Sequence, residues 1–135
     1  MVDLPVLDGA GLRTLAERSA AVTVACACNE ASLAAWTSTP LSFPETLLQD
    51  IGTLLPDPYD EPGFAEYHPG GTRYESADAP VAPRHFPYNR CNVAACKVCG
   101  RCYLRYTEAG GYFVDRRIRA LNRPELVVDA ALALS

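Results

Sequence analysis

The amino-acid sequence predicts an α+β fold, in which a small antiparallel sheet built from hairpins is joined by two or three helices and stapled by a cysteine-rich knuckle. Three observations lead to this prediction. Helix-capping residues precede apolar residues at helical spacing in the first half of the chain. Short β-prone runs flank glycine-containing turns in the second half. Four of the six cysteines fall between Cys91 and Cys102.

The chain has the size and composition of one globular domain, residues 1–135. It contains 49% hydrophobic and 21% charged residues, as expected for a folded protein. We find no apolar run that would cross a membrane and no signal peptide at the N-terminus, so a cytoplasmic location is expected. Because cytosolic thiols stay reduced, six cysteines favour metal binding over disulfides.

Charge divides this domain into an acidic and a basic part. The net charge is −4 overall, −9 over residues 1–80 and +5 over residues 81–135. The two parts can attract each other within the fold or present two surfaces to partners. Arginine outnumbers lysine eleven to one and alanine is abundant, a bias that indicates a GC-rich, bacterial genome.

Three helices and one strand are predicted in the first half. Asp8 caps a helix over residues 9–18, and alternation over residues 21–28 predicts a strand that places Cys26 and Cys28 on one face. Asn29 caps a second helix over residues 30–37. A third helix starts near Pro44, and its apolar side consists of Leu47, Leu48 and Ile51.

The acidic loop at residues 56–63 is the predicted partner-binding surface. Its proline and glycine content favours a loop, and the predicted contact residues are Asp57, Tyr59, Asp60, Glu61 and Glu66. A hairpin is then predicted with strands at residues 64–67 and 72–74. A second hairpin has strands at residues 103–107 and 112–118 with a turn at residues 108–111, and residues 122–128 form a short helix or strand.

The unit Cys96-Lys97-Val98-Cys99-Gly100 predicts a metal knuckle. Two thiolates three residues apart can bind one ion when the chain turns tightly, and glycine permits the positive φ that such a turn needs. A structural Zn²⁺ site requires four ligands. Cys91 is the predicted third ligand, because it can fold back from five residues upstream of Cys96.

The fourth ligand is open at this point. Cys28 is preferred over Cys102, because a remote ligand would tie the acidic part to the basic part, with Cys26 and His85 as further alternatives. Free cysteines also pack as small buried hydrophobes, which is the competing interpretation for Cys26, Cys28 and Cys102. An iron–sulfur cluster is a second alternative, since Cys91, Cys96 and Cys99 have the spacing of plant-type ferredoxins, but no cysteine follows Cys102.

Residues 90–118, the knuckle followed by a hairpin, resemble the zinc-ribbon and treble-clef class. That resemblance implies a local structure held by zinc and does not imply an activity. The stretch from Tyr88-Asn89-Arg90-Cys91 to Arg105-Tyr106-Thr107 is also similar to small bacterial proteins of unassigned activity.

These features favour a protein-binding module with a structural zinc ion over an enzyme. The size and acidity are those of immunity proteins that neutralise a toxin in bacterial competition, and the acidic loop would be the contact face. The alternative is a nucleic-acid-binding zinc ribbon that uses the arginine-rich hairpin at residues 101–123. Catalysis is not expected, because the chain has only two histidines and no phosphate loop or paired carboxylates.

Overall fold

The computed structural model describes residues 4–29, 33–55, 62–110 and 113–129. Helix α1 spans Gly9–Ala20, and the sheet has five antiparallel strands in the order β1-β5-β4-β3-β2. The strands are β1 (Thr37–Ser38), β2 (Leu48–Thr53), β3 (Asn92–Cys96), β4 (Cys102–Gly110) and β5 (Phe113–Ala120). The α+β class with an antiparallel sheet is therefore confirmed, whereas the described residues contain one α-helix instead of two or three.

Helix α1 forms where the sequence predicts it. The Asp8 carboxylate accepts a hydrogen bond from the Gly11 backbone at 2.8 Å and so caps the first turn. Leu12 and Ala16, four residues apart, are fully buried. The helix is fixed to the sheet at its last turn, where the Cys102 backbone N–H donates to the Ser19 hydroxyl at 2.9 Å.

Residues 45–53 form a strand instead of the predicted third helix. A short 3₁₀ turn, Glu45–Leu47, leads directly into β2. A β-bulge between Asp50 and Gly52 shifts the register against β3. Leu48 packs on one face of the sheet and Ile51 on the other, so two apolar residues three apart, which would share one side of a helix, lie on opposite faces of the strand.

The elements predicted for residues 21–37 are also different. Residues 21–26 belong to no strand, and a 3₁₀ turn, Ala27–Asn29, follows them. Residues 30–32 lie outside the described residues, and residues 33–36 are not helical. Val24 is 59% exposed. This segment does not join the sheet despite its β-propensity, because pairing with a neighbouring strand determines whether a strand forms.

The first predicted hairpin is absent, and the second predicted hairpin has longer strands than expected. Residues 64–74 contain no strand, although a turn closes where Gly71 N–H donates to the His68 carbonyl at 3.2 Å. Strands β4 and β5 pair from Tyr103 with Ala120 to Gly110 with Phe113. Residues 108–110, predicted as a turn, thus continue β4, and near the C-terminus a 3₁₀ turn forms at Pro124–Leu126.

The sheet separates two hydrophobic clusters, one on each face. The α1-side cluster contains Leu12, Val93, Leu104, Leu121 and the ring of Trp36. The thiol-side cluster contains Leu48, Ala94, Cys96, Tyr103 and Ile118. Alternate residues of β3 and β4 go to opposite clusters, as the two-residue period of a strand requires. In the described ranges, no helix has the length and apolar character needed to cross a membrane.

Candidate metal centre

Two distant segments bring four cysteines together on the thiol-side face. Cys26 and Cys28 lie at the 3₁₀ turn Ala27–Asn29, while Cys96 ends β3 and Cys99 lies in the turn that follows. Their Sγ atoms all lie within 4.8 Å of one another. Cys28 and Cys96 are buried and the other two are partly exposed, so the cluster lies at the edge of the core.

The separations within this cluster suit a single tetrahedral ion. The Sγ atoms are 3.8 Å apart in Cys26 and Cys96 and 3.5 Å apart in Cys28 and Cys99. A metal–sulfur bond of about 2.3 Å gives tetrahedron edges of about 3.8 Å. A disulfide would need about 2.05 Å, and all four cysteines are free. The cluster could therefore hold a metal ion.

The turn after β3 has the conformation that the sequence predicts for a knuckle. Gly100 N–H donates to the Cys96 carbonyl at 2.9 Å, and Cys96 N–H donates to the Arg101 carbonyl at 2.8 Å. Gly100 has a φ of +88°, a region that is unfavourable for residues with a Cβ atom. The glycine thus allows Cys99 to turn back towards Cys96.

The protein environment shifts the pKa values of Cys28 and Cys99 in opposite directions. Burial raises the pKa of Cys28 to about 12, although a hydrogen bond from Tyr103 opposes the rise. Burial also disfavours the Cys99 thiolate, but hydrogen bonds from the Arg101 backbone and the neighbouring thiols outweigh it and lower the pKa to about 7. Cys99 is therefore more readily deprotonated than Cys28 before a metal binds, and a bound cation would favour the thiolate form of both.

Two side chains orient the cluster from outside. The Tyr103 hydroxyl lies 3.0 Å from the Cys28 carbonyl and 3.2 Å from its Sγ. The Arg101 guanidinium donates to Cys99 Sγ at 3.6 Å and to the Val22 carbonyl at 3.3 Å. Four thiolates around a divalent ion would carry a net charge of −2, which the Arg101 cation partly offsets.

Tyr103→Phe is expected to weaken metal retention about tenfold while leaving the fold intact, because it removes the hydroxyl that orients Cys28. Competition with a chromophoric chelator measures this change. Tyr106→Phe is the matched control, since the Tyr106 hydroxyl bonds Tyr74 and Glu108 on the opposite face. Equal metal affinity of the Tyr103→Phe variant and the wild type would contradict the assigned role.

The structure places two of the predicted ligands elsewhere. Cys91 is fully buried in the α1-side cluster, and its Sγ donates to the Pro87 carbonyl at 3.2 Å. Burial holds the pKa of Cys91 well above its usual value. Cys102 belongs to the same cluster and pairs with Ala95. Cys91 and Cys96 are five residues apart in extended chain, so they point to opposite faces of the sheet.

Cys26 takes the place in the cluster that the sequence analysis gave to Cys91. The C-x-C spacing of Cys26 and Cys28 was an available signal for a ligand pair, although a 3₁₀ turn at Ala27–Asn29, and not an extended strand, brings the two thiols to the cluster. A second available signal was the odd separation of Cys91 and Cys96, which places their side chains on opposite faces of a strand. Together they indicate one C-x-C pair and one C-x-x-C pair, a two-plus-two arrangement drawn from both parts of the chain.

The other predicted site residues lie apart from the thiols. His68 bonds Glu66 and Thr72, both at 2.8 Å. His85 is buried against the ring of Tyr67, and burial lowers its pKa. Glu66 is exposed. Asp57, Tyr59, Asp60 and Glu61, the rest of the predicted partner surface, lie outside the described residues.

Comparison with protein-family models, with curated proteins and with solved structures finds no match to this chain. The resemblance of residues 90–118 to zinc ribbons, and of the surrounding stretch to small bacterial proteins, therefore stays a prediction. The function has to be inferred from the four-thiol cluster and from the surfaces that the fold presents.

Proposed function

We propose that this protein is a non-catalytic binding module whose fold is held together by one structural zinc ion on Cys26, Cys28, Cys96 and Cys99. The mutual approach of the four Sγ atoms to within 4.8 Å supports this proposal. A set of four thiolates is typical of structural zinc, whereas catalytic zinc has three protein ligands and an open position. A multi-iron cluster would need the thiolates farther apart, because the irons and sulfides would lie between them.

The position of the cluster explains what the ion would do. It joins the irregular segment at residues 21–29 to the turn between β3 and β4, about seventy residues later in the chain. The hydrogen bonds from Arg101 to Val22 and from Tyr103 to Cys28 run between the same two segments. Closing so long a loop removes much conformational entropy from the unfolded chain, so the ion stabilises the fold as a staple.

Metal analysis of protein purified under reducing conditions tests the zinc assignment. We expect one zinc per chain, colourless protein, and a cobalt-substituted form with the visible absorption of tetrahedral thiolate coordination. If the protein instead contains one iron per chain and shows thiolate-to-iron absorption, the site is an iron site with the same four ligands. Protein that folds without any stoichiometric metal would overturn the proposal.

The partner that we propose is another protein. The acidic balance of residues 1–80, at −9, supports this proposal, since it suits a basic partner such as a toxin. Neither described histidine is beside the thiols, as His68 is bonded to Glu66 and His85 is buried. Capture and inhibition of a co-encoded toxin, lost on reversing the charges of Asp57, Asp60 and Glu61, would test the immunity function. A co-encoded toxin that neither binds nor is inhibited would contradict it.

The arrangement of arginines does not favour the alternative of a nucleic-acid-binding hairpin. Arg105 and Arg116 project from one face of the sheet, and Arg117 and Arg119 from the other, as the register of β4 and β5 requires. Arg119 is 2% exposed, and Arg117 is paired with Asp115 at 2.8 Å. The hairpin thus lacks the continuous basic stripe that a nucleic-acid backbone would follow.

A further inference from the structure

A polar groove lies on the thiol-side face of the sheet, at the end of the strands away from the cysteines. Its volume is about 480 Å³, within the range of small-molecule sites. Asn92 pairs with Arg105 and Thr107 with Arg116, so these four side chains share one face. The connection between β1 and β2 closes one side, and the lining includes Glu45, Asp50, Asn92, Arg105, Thr107 and Arg116.

The groove is positively charged in an acidic protein. Three arginines that line it, Arg90, Arg105 and Arg116, are set against the two carboxylates of Glu45 and Asp50, whereas Arg117 projects from the other face and pairs with Asp115. These five side chains thus have an excess of one positive charge, whereas the whole chain has a net charge of −4. A concave surface concentrates the field of its charges, so the groove favours an anion.

Three of these side chains have the spacing that a phosphate group requires. Thr107 lies directly opposite Arg116, and Arg105 lies two residues from Thr107 on the same strand. Cross-strand neighbours have Cβ atoms about 5 Å apart, and residues i and i+2 of a strand about 7 Å. Arg105 and Arg116 therefore flank Thr107 on one face, and a phosphate group beside the hydroxyl can accept hydrogen bonds from all three side chains.

The carboxylates orient the arginines and leave capacity for a ligand. Asp50 accepts from Arg105 at 2.8 Å and from the Asn92 amide at 3.3 Å. Glu45 contacts Arg116 at 3.1 Å, but the Arg116 side chain is 64% exposed. Such an exposed ion pair contributes little to stability, because solvent screens it. A phosphate dianion can therefore bind Arg116 at little expense to the fold.

We propose that the groove binds a nucleoside monophosphate. Arg105, Thr107 and Arg116 hold the phosphate, while the carboxylates of Asp50 and Glu45 accept hydrogen bonds from sugar hydroxyls or the base amino group. A free phosphate would leave these acceptors and most of the 480 Å³ unused. This site is independent of the zinc and protein-partner proposals, because its residues belong to neither.

Isothermal titration calorimetry of the metal-loaded full chain with AMP, GMP, CMP and UMP tests the proposal. We expect saturable binding of at least one nucleotide, with the dissociation constant raised about tenfold or more in Arg105→Gln and in Arg116→Gln. The matched control is Arg123→Gln, which removes an exposed, ion-paired arginine away from the groove and should bind as the wild type does. Circular dichroism and metal content verify that each variant is folded.

Three results would overturn the proposal. The first is no saturable binding of any of the four nucleotides at millimolar concentration. The second is inorganic phosphate binding as tightly as the nucleotides, which would leave a simple anion site. The third is a single-stranded RNA oligonucleotide binding about a hundredfold more tightly with a steep salt dependence, which would indicate a polynucleotide surface.

Discussion

Replacing Cys28 by alanine is expected to abolish stoichiometric metal binding and to lower the free energy of unfolding by on the order of 5 kcal/mol. Cys28 is fully buried and belongs to the segment that the ion would join to β3. With three thiolates left, the tetrahedron is incomplete and residues 21–29 lose their main attachment. Elemental analysis and chemical denaturation, each with and without a chelator, measure both effects.

Cys102→Ala is the matched control within the knuckle. Cys102 is as buried as Cys96 but belongs to the α1-side cluster, so its replacement should leave the metal bound and cost only about 1–2 kcal/mol through a small cavity. Metal release from Cys102→Ala together with retention in Cys28→Ala would show that the ligand set is wrong. The chelator should destabilise the wild type to the level of Cys28→Ala and leave that variant unchanged.

The second large effect is expected at Arg119, whose side chain is buried in the α1-side half of the molecule. It is 2% exposed, and in the described part of the chain its guanidinium donates to uncharged oxygens. The acceptors are the carbonyls of Ala34 at 3.1 Å, Ala77 at 3.1 Å and Ala79 at 3.0 Å, and the Tyr88 hydroxyl. One side chain thus ties three irregular segments to β5.

Arg119→Met is expected to destabilise the protein by on the order of 4 kcal/mol, because it leaves several buried acceptors without donors. The stability of Arg119→Lys should fall between those of the wild type and Arg119→Met, since an ammonium group lacks the planar fork that reaches separated carbonyls. Chemical denaturation measures both. Arg123→Met, at an exposed ion pair with Glu125, should change stability by less than about 1 kcal/mol. A change that small in Arg119→Met would contradict the role.

The elements that local sequence determines were predictable. Helix α1 has its cap at Asp8 and its buried positions at helical spacing, so local chemistry specifies it. The turn at Gly100 has the positive φ that only glycine favours. In both cases the deciding contacts lie within four residues, which is the range that sequence reasoning covers well.

The elements that depend on pairing with distant strands could not be predicted from the sequence. Leu48 and Ile51 have the spacing of one helix side but pack on opposite faces of the sheet, and only the partner strand reveals the strand conformation. Val24 has strand propensity but belongs to none of the strands that the described residues form. The sequence indicated that Cys28, Cys96 and Cys99 come together, as they do in the four-thiol cluster, while the positions of Cys26 and Cys91 depend on which face of the sheet each one meets.

Two pairs of thiols would report on different motions. Cys26 and Cys99 are partly exposed in the four-thiol cluster, whereas Cys91 and Cys102 are buried on the opposite face of the sheet. An alkylating reagent should reach Cys26 and Cys99 once a bound ion leaves, but should reach Cys91 only when the whole sheet opens. Mass spectrometry of a labelling time course would therefore time metal exchange and global unfolding separately in one unmodified molecule.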